Sequence, residues 1–149
     1  MGLIFADSSA LVKRHLAEQG SAWVRTWIAA GQGNTIAIAE LAITEVLSAL
    51  SRRRRQAHLS AHSFARLRDA FLSVVENEYA IIPMTSALLS VASDLVIRYP
   101  LHALDAIHLA AALDARRRIG NIPLLISADL QLLAAATAEG FATDNPNNH

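Results

Sequence analysis

Short apolar runs alternate along this chain with longer stretches of helical periodicity. Residues 3–6 (Leu-Ile-Phe-Ala) predict a buried strand and 8–16 a helix. A second helix is predicted over 21–30, where Trp23 and Trp27 stand four apart and share one face. Gly31-Gln-Gly-Asn34 breaks it. A short strand at 35–38 leads into a helix from about 40 to 55, and 60–75 is helical again. A third strand covers 80–83. It is followed by a helix over 85–98, whose Leu88, Val91, Ala92, Leu95 and Val96 form a core stripe. Tyr99-Pro100 ends that helix, because the residue before a proline avoids the helical region. The next helix, 102–118, stops near Gly120. A strand at 123–127 and a last helix at 129–139, closed by Gly140, complete the pattern, and 144–149 reads as a frayed tail. Strands separated by helices predict an α/β fold in one domain over 1–143. Its parallel sheet would have four or five short strands, with helices on both faces.

Composition narrows the class. With 149 residues, 53% hydrophobic and 17% charged, the chain has enough apolar surface for a core, which excludes a disordered protein. The formal net charge is +0, so no global field draws in nucleic acid, and any such contact must come from a local patch. The absence of cysteine excludes a disulfide framework and thiolate zinc sites. The first residues lack the basic start and long apolar run of a signal peptide. The apolar stretch 79–93 is interrupted by Pro83, Thr85 and Ser86, short of the ~20 residues a membrane helix needs. A soluble, cytoplasmic protein is expected.

Four acids stand out. In parallel sheets function gathers at the carboxyl ends of the strands, and there Asp7 follows the first strand and Asp129 the fourth. Each also suits a helix N-cap. Asp105 lies among apolar neighbours and shares a stripe with Leu101, Leu104 and His108, while Glu45 shares a helix face with Leu41 and Ala49. An unpaired buried carboxylate costs several kcal/mol and is normally neutralised, paired or bound to metal. Basic partners are scarce, with Lys13 and Arg14 the candidates near a strand end. Four converging carboxylates would repel one another unless a cation neutralised them. Such oxygen ligands suit Mg²⁺, with Mn²⁺ as a substitute, and phosphodiester hydrolysis is the chemistry that follows. Glu40 competes with Glu45. Five residues turn a helix by roughly 140° beyond a full turn, so only one of the two faces the pocket, and the motif context favours Glu45.

These acids sit in four segments: Phe5-Ala-Asp7-Ser-Ser-Ala-Leu-Val-Lys13, Thr44-Glu45-Val-Leu-Ser-Ala-Leu50, Leu104-Asp105-Ala-Ile-His108-Leu-Ala-Ala111 and Ser127-Ala-Asp129-Leu-Gln-Leu-Leu-Ala-Ala135. In order and content they resemble the motifs of the PIN-domain ribonucleases, and among them the VapC toxins of toxin–antitoxin pairs. The resemblance spans nearly the whole chain. It implies a PIN-like fold with an acidic Mg²⁺ site formed by Asp7, Glu45, Asp105 and Asp129, cutting RNA with an activated water. It also implies supporting roles for Ser9 and Ser127, a homodimer, and a cognate antitoxin as partner. Ala6 stands where a bulkier apolar residue is frequent, and Ser127 where threonine is frequent. Neither change touches the acids.

Other polar residues carry two readings. His108, one turn from Asp105, either supports an acid or is satisfied inside a helix interface. The arginines at 52–55 and 116–118 close helices, where the dipole favours cations; a phosphate grip is the alternative for 52–55. Trp23 and Trp27 stack bases, line an interface or fill core. A receiver-type phosphoacceptor domain would want paired acids after the first strand and a late lysine, but Ser8 and Ser9 follow Asp7 and the one lysine is Lys13. A catalytically inactive PIN-fold binding module would be expected to have lost acids, and all four are present.

Overall fold

The computed structural model describes residues 2–56, 59–121 and 124–149. Five parallel strands, β1 (Leu3–Ala6), β2 (Thr35–Ala39), β3 (Tyr79–Ile82), β4 (Leu124–Ile126) and β5 (Ala142–Asp144), form one sheet in the order β3-β2-β1-β4-β5. The chain therefore grows outward from β1 in one direction through β2 and β3, then returns to its other side with β4 and β5. The crevice between β1 and β4 is the point where strand order reverses, the place where open α/β sheets bind ligands.

Alternate strand residues feed two separate cores. Ile4, Ala6, Ile36, Ile38 and Ile126 pack under α1 (Ser8–His15), α2 (Ser21–Trp27), α3 (Leu41–Arg55) and α4 (Ala61–Glu78). Phe5, Ala37, Ala39, Ile82 and Leu125 pack under α5 (Ser86–Arg98), α6 (Ala103–Ile119) and α7 (Leu130–Ala138). Helices thus cover both faces, as the alternation of strand and helix predicts. α6 buries Ala106, Ala110, Ala111, Ala112 and Ala115, and this small-residue face packs against Ala37 and Ala39 of β2. Among the described residues no single helix is long and apolar enough to cross a membrane.

Several elements differ from the sequence reading. The second helix ends at Trp27 and is followed by a 3-10 turn at Ala30–Gln32, where the glycine-rich stretch begins. α4 runs to Glu78, one turn past the predicted end, and passes straight into β3. Pro123, with which the fourth strand was predicted to begin, lies outside the described residues. In α5 the core stripe is narrower than its spacing suggests. Leu88, Ala92 and Leu95 are buried, but Val91 and Val96 lie at its edge, 41% and 38% exposed.

The expected frayed tail is held in place instead. Asp144 ends β5, and Asn145 caps a 3-10 turn at Pro146–Asn148 by accepting the Asn147 N–H at 2.9 Å. The His149 ring stacks on Trp23, with centroids 4.0 Å apart and planes 2° from parallel. Gly20 makes this close approach possible: its φ is +82°, and a Cβ there would sit 2.1 Å from the Pro146 carbonyl oxygen. Trp27 is core, and Trp23 is the face on which the chain end rests.

Candidate active site

Asp7 follows directly from the central strand β1 and is the N-cap of α1, accepting the Ala10 N–H at 3.1 Å. Capping alone does not account for it. A serine would cap as well, the gain is ~1 kcal/mol, and burying a carboxylate costs several. Yet Asp7 is only 4% exposed. Burial pushes its pKa up, opposed by the nearby His108 and by hydrogen bonds from Ser127, Ser9 and the Ala10 N–H.

Those hydrogen bonds fix the carboxylate on both sides. Ser9 Oγ donates to Asp7 Oδ1 and Ser127 Oγ to Asp7 Oδ2, each at 2.6 Å. The same two hydroxyls accept backbone N–H groups, Ser9 from Ala128 at 2.8 Å and Ser127 from Asp129 at 2.9 Å. Because an ionised carboxylate only accepts, both hydroxyl protons point at Asp7. Ser127 reaches it because Ala6 pairs with Ile126, which sets the next residue of β4 beside the next residue of β1.

Asp129 caps α7, accepting the Leu132 N–H at 2.8 Å, and its carboxylate is partly exposed. Asp105 sits in the first turn of α6, 3.5 Å from the exposed His102. Burial raises its pKa, and the charges of Asp129 and Asp7 raise it further. Asp105 is therefore within electrostatic reach of both Asp129 and Asp7. Leu104, predicted to face inward with Asp105, is 49% exposed; of the stripe, Leu101 packs against the core and His108 is buried.

Glu45 reaches the cluster through His108. The His108 ring is 2% exposed, and its Nε2 is hydrogen-bonded to Glu45 Oε1. Burial works against its charged form, but Glu45, Asp7 and Asp105 outweigh that and raise its pKa. Among the described residues Nδ1 is buried without a hydrogen-bond partner, so these residues satisfy only one of the two ring nitrogens. Glu40 points elsewhere: its Oε2 accepts the Met84 N–H at 2.8 Å. Lys13 and Arg14 do not reach the acids either. They pair with Glu18 at 3.5 Å and Glu78 at 2.9 Å.

Among the described residues no three His, Asp or Glu side chains close around a single point as they stand. The donor chemistry nonetheless fits a hard divalent cation. The groups are carboxylate oxygens, and Asp105 feels the charges of both Asp129 and Asp7. Beside them, Ser8, Ser9, Leu41, Thr44, Glu45 and Arg52 help to line an open groove of about 490 Å³. Sequence reasoning did not single out Ser8, Thr44 or Ser48 as groove residues. The four-residue spacing of 44, 48 and 52 was the available signal.

The sequence pattern of the PIN domain matches residues 4–138. Ribonuclease VapC47 of Mycobacterium tuberculosis (strain CDC 1551 / Oshkosh) is 29% identical over 146 residues, 97% of each chain. Two solved structures share the fold. A toxin–antitoxin complex from Klebsiella pneumoniae aligns with a TM-score of 0.63 at 19% identity, covering 96% of this chain and 97% of that one. Mycobacterium tuberculosis VapC20, described as a sarcin–ricin loop cleaving toxin, aligns with a TM-score of 0.64 at 16% identity, covering 93% and 96%.

Proposed function

The chain belongs to the PIN-domain family, and from that premise we propose that it is a Mg²⁺-dependent endoribonuclease, the toxin of a toxin–antitoxin pair. One observation carries the reading. A carboxylate, Asp7, is buried at the carboxyl end of the central strand with both oxygens fixed, within electrostatic reach of Asp105. A bound cation gives a reason to keep that arrangement. The likeness to a ribonuclease over nearly the full chain supports it.

In this reading Asp7, Glu45, Asp105 and Asp129 hold the cation directly or through water. A cation held there would supply charge neutralisation for the phosphate and acidify the attacking water. Ser9 and Ser127 hold Asp7 in one orientation, so that little reorganisation is needed at the moment of reaction. His108 holds Glu45 at the edge of the groove. The groove admits a strand of RNA, and its open shape suits an extended chain better than a small ligand.

A cognate antitoxin and a homodimer belong to the same proposal, with action in the cytoplasm. Their support is a neighbour of the same fold that was solved as a toxin–antitoxin complex, together with the exposed apolar row Leu89, Val96 and Ile97 on α5, the last 86% exposed. The test is cleavage of a mixed RNA pool by purified protein, free of antitoxin, with Mg²⁺ or with EDTA, for wild type and Asp7→Asn. Cleavage that needs both Mg²⁺ and Asp7 is the expected result. A folded protein that cuts under no condition would reject the nuclease.

A further inference from the structure

On α3, Thr44, Ser48 and Arg52 recur every four residues and so form one row along the helix. With Glu45 they line the open groove beside the acids. Arg52 stands two turns beyond Glu45, about 10.5 Å along the axis at ~1.5 Å per residue.

Its three neighbours in the arginine run are occupied elsewhere. Arg53 lies 3.8 Å from Glu18, Arg54 covers the Phe64 ring at 5.2 Å, and Arg55 donates to Ser51 Oγ at 3.0 Å. The same holds for almost every cation in the protein. Of the 13 Lys and Arg residues, eleven have a carboxylate, hydroxyl, carbonyl or aromatic partner among the described residues. The exceptions are Arg52 and Arg66, and Arg66 does not line the groove.

In a protein with no net charge, a guanidinium left without a counter-charge in the groove that holds Glu45 is a docking point for an anion. Resting on the nuclease reading, we propose that Arg52 grips a backbone phosphate of the RNA strand at a distance from the bond that is cut. Thr44 and Ser48, both exposed, offer hydroxyl donors to the same backbone. Among the described residues no aromatic side chain lines this groove, so the contact sets the path of the strand without reading its bases.

The experiment measures kcat and KM for a fluorescent mixed-sequence RNA at fixed Mg²⁺ over a series of KCl concentrations. Arg52→Gln is expected to raise KM several-fold with kcat nearly unchanged. It should also reduce the slope of log KM against log salt by about 0.7, the loss of one single-strand phosphate contact. Arg52→Lys restores the slope, and Arg66→Gln behaves as wild type. A wild-type KM and slope in Arg52→Gln would overturn this proposal alone. Failure of the wild-type protein to cut the RNA would overturn the nuclease reading, and this proposal with it.

Discussion

Ser127 Oγ donates a 2.6 Å hydrogen bond to Asp7 Oδ2 and, through the same oxygen, accepts the backbone N–H of Asp129 at 2.9 Å. One hydroxyl thus ties the buried acid at the end of β1 to the cap of α7. Without it, Asp7 Oδ2 would lose its donor in a site that water scarcely reaches. Ser127→Ala is expected to lower kcat by about 10–100-fold and to cost ~1–3 kcal/mol of stability. Ser127→Thr, which keeps the hydroxyl, should retain most activity. Cleavage at the wild-type rate by a folded alanine variant would show that the orientation of Asp7 does not depend on Ser127.

The two competing acids, Glu45 within α3 and Glu40 just before it, separate cleanly in space, Glu45 on His108 and Glu40 on the Met84 N–H. Glu45→Gln is expected to reduce cleavage by about 10²-fold or more, the loss of a few kcal/mol of charge stabilisation. Glu40→Gln should leave the rate near wild type and lower the melting temperature slightly. The reverse pattern in the same RNA assay would assign the acid to Glu40.

Asp105 yields a pH-dependent prediction. Its folded pKa is raised above 3.8 by burial and by Asp129 and Asp7. The charged form is therefore disfavoured in the folded state. Stability is lost as pH rises from the unfolded value through the raised one, and stays lost at neutral pH. In EDTA at pH 7, Asp105→Asn should melt higher than wild type. The gain is at most ~1 kcal/mol, because the carboxylate is partly exposed, or about 2–4 °C. The gain should shrink as pH falls toward 3.8, and Mg²⁺ should stabilise wild type more than the variant. A lower melting temperature for Asp105→Asn in EDTA would contradict the repulsion.

Gly20 takes a positive φ of 82° with the Pro146 carbonyl pressed against it. Gly20→Ala is expected to cost ~2 kcal/mol through strain and displacement of the tail, or roughly 4–8 °C. Tryptophan fluorescence should shift to the red as His149 leaves Trp23. An unchanged melting temperature and spectrum would mean that the tail does not rest there.

Much of this architecture was legible in the chain. The apolar runs at 3–6 and 35–38 are buried on both faces, so they read as strands without alternation. Asp7 and Asp129 could be placed because each directly follows such a run. What periodicity could not supply was side-chain direction around α6, where alanines fill every face and blur the boundary between Leu104 outside and His108 inside. The fifth strand is three residues long, too short for any pattern. The docked tail depends on Gly20, about 125 residues away, and on stacking that no local rule encodes. Likewise, the run at 52–55 reads as four equivalent arginines. Only the positions of Glu18, Phe64 and Ser51 single out Arg52.

The strand order has a consequence for biosynthesis. β1 is made first, but the neighbour that completes its carboxyl edge is β4, and Asp7 and Ser127 are 120 residues apart in the chain. At about 5–20 residues per second, the ribosome adds Ser127 roughly 6–24 s after Asp7. Throughout that interval the nascent protein lacks Asp129, the hydroxyl that orients Asp7 and the loop that holds Ser9. The candidate site therefore cannot assemble on the ribosome as β1 emerges; it waits for the strand made 120 residues later.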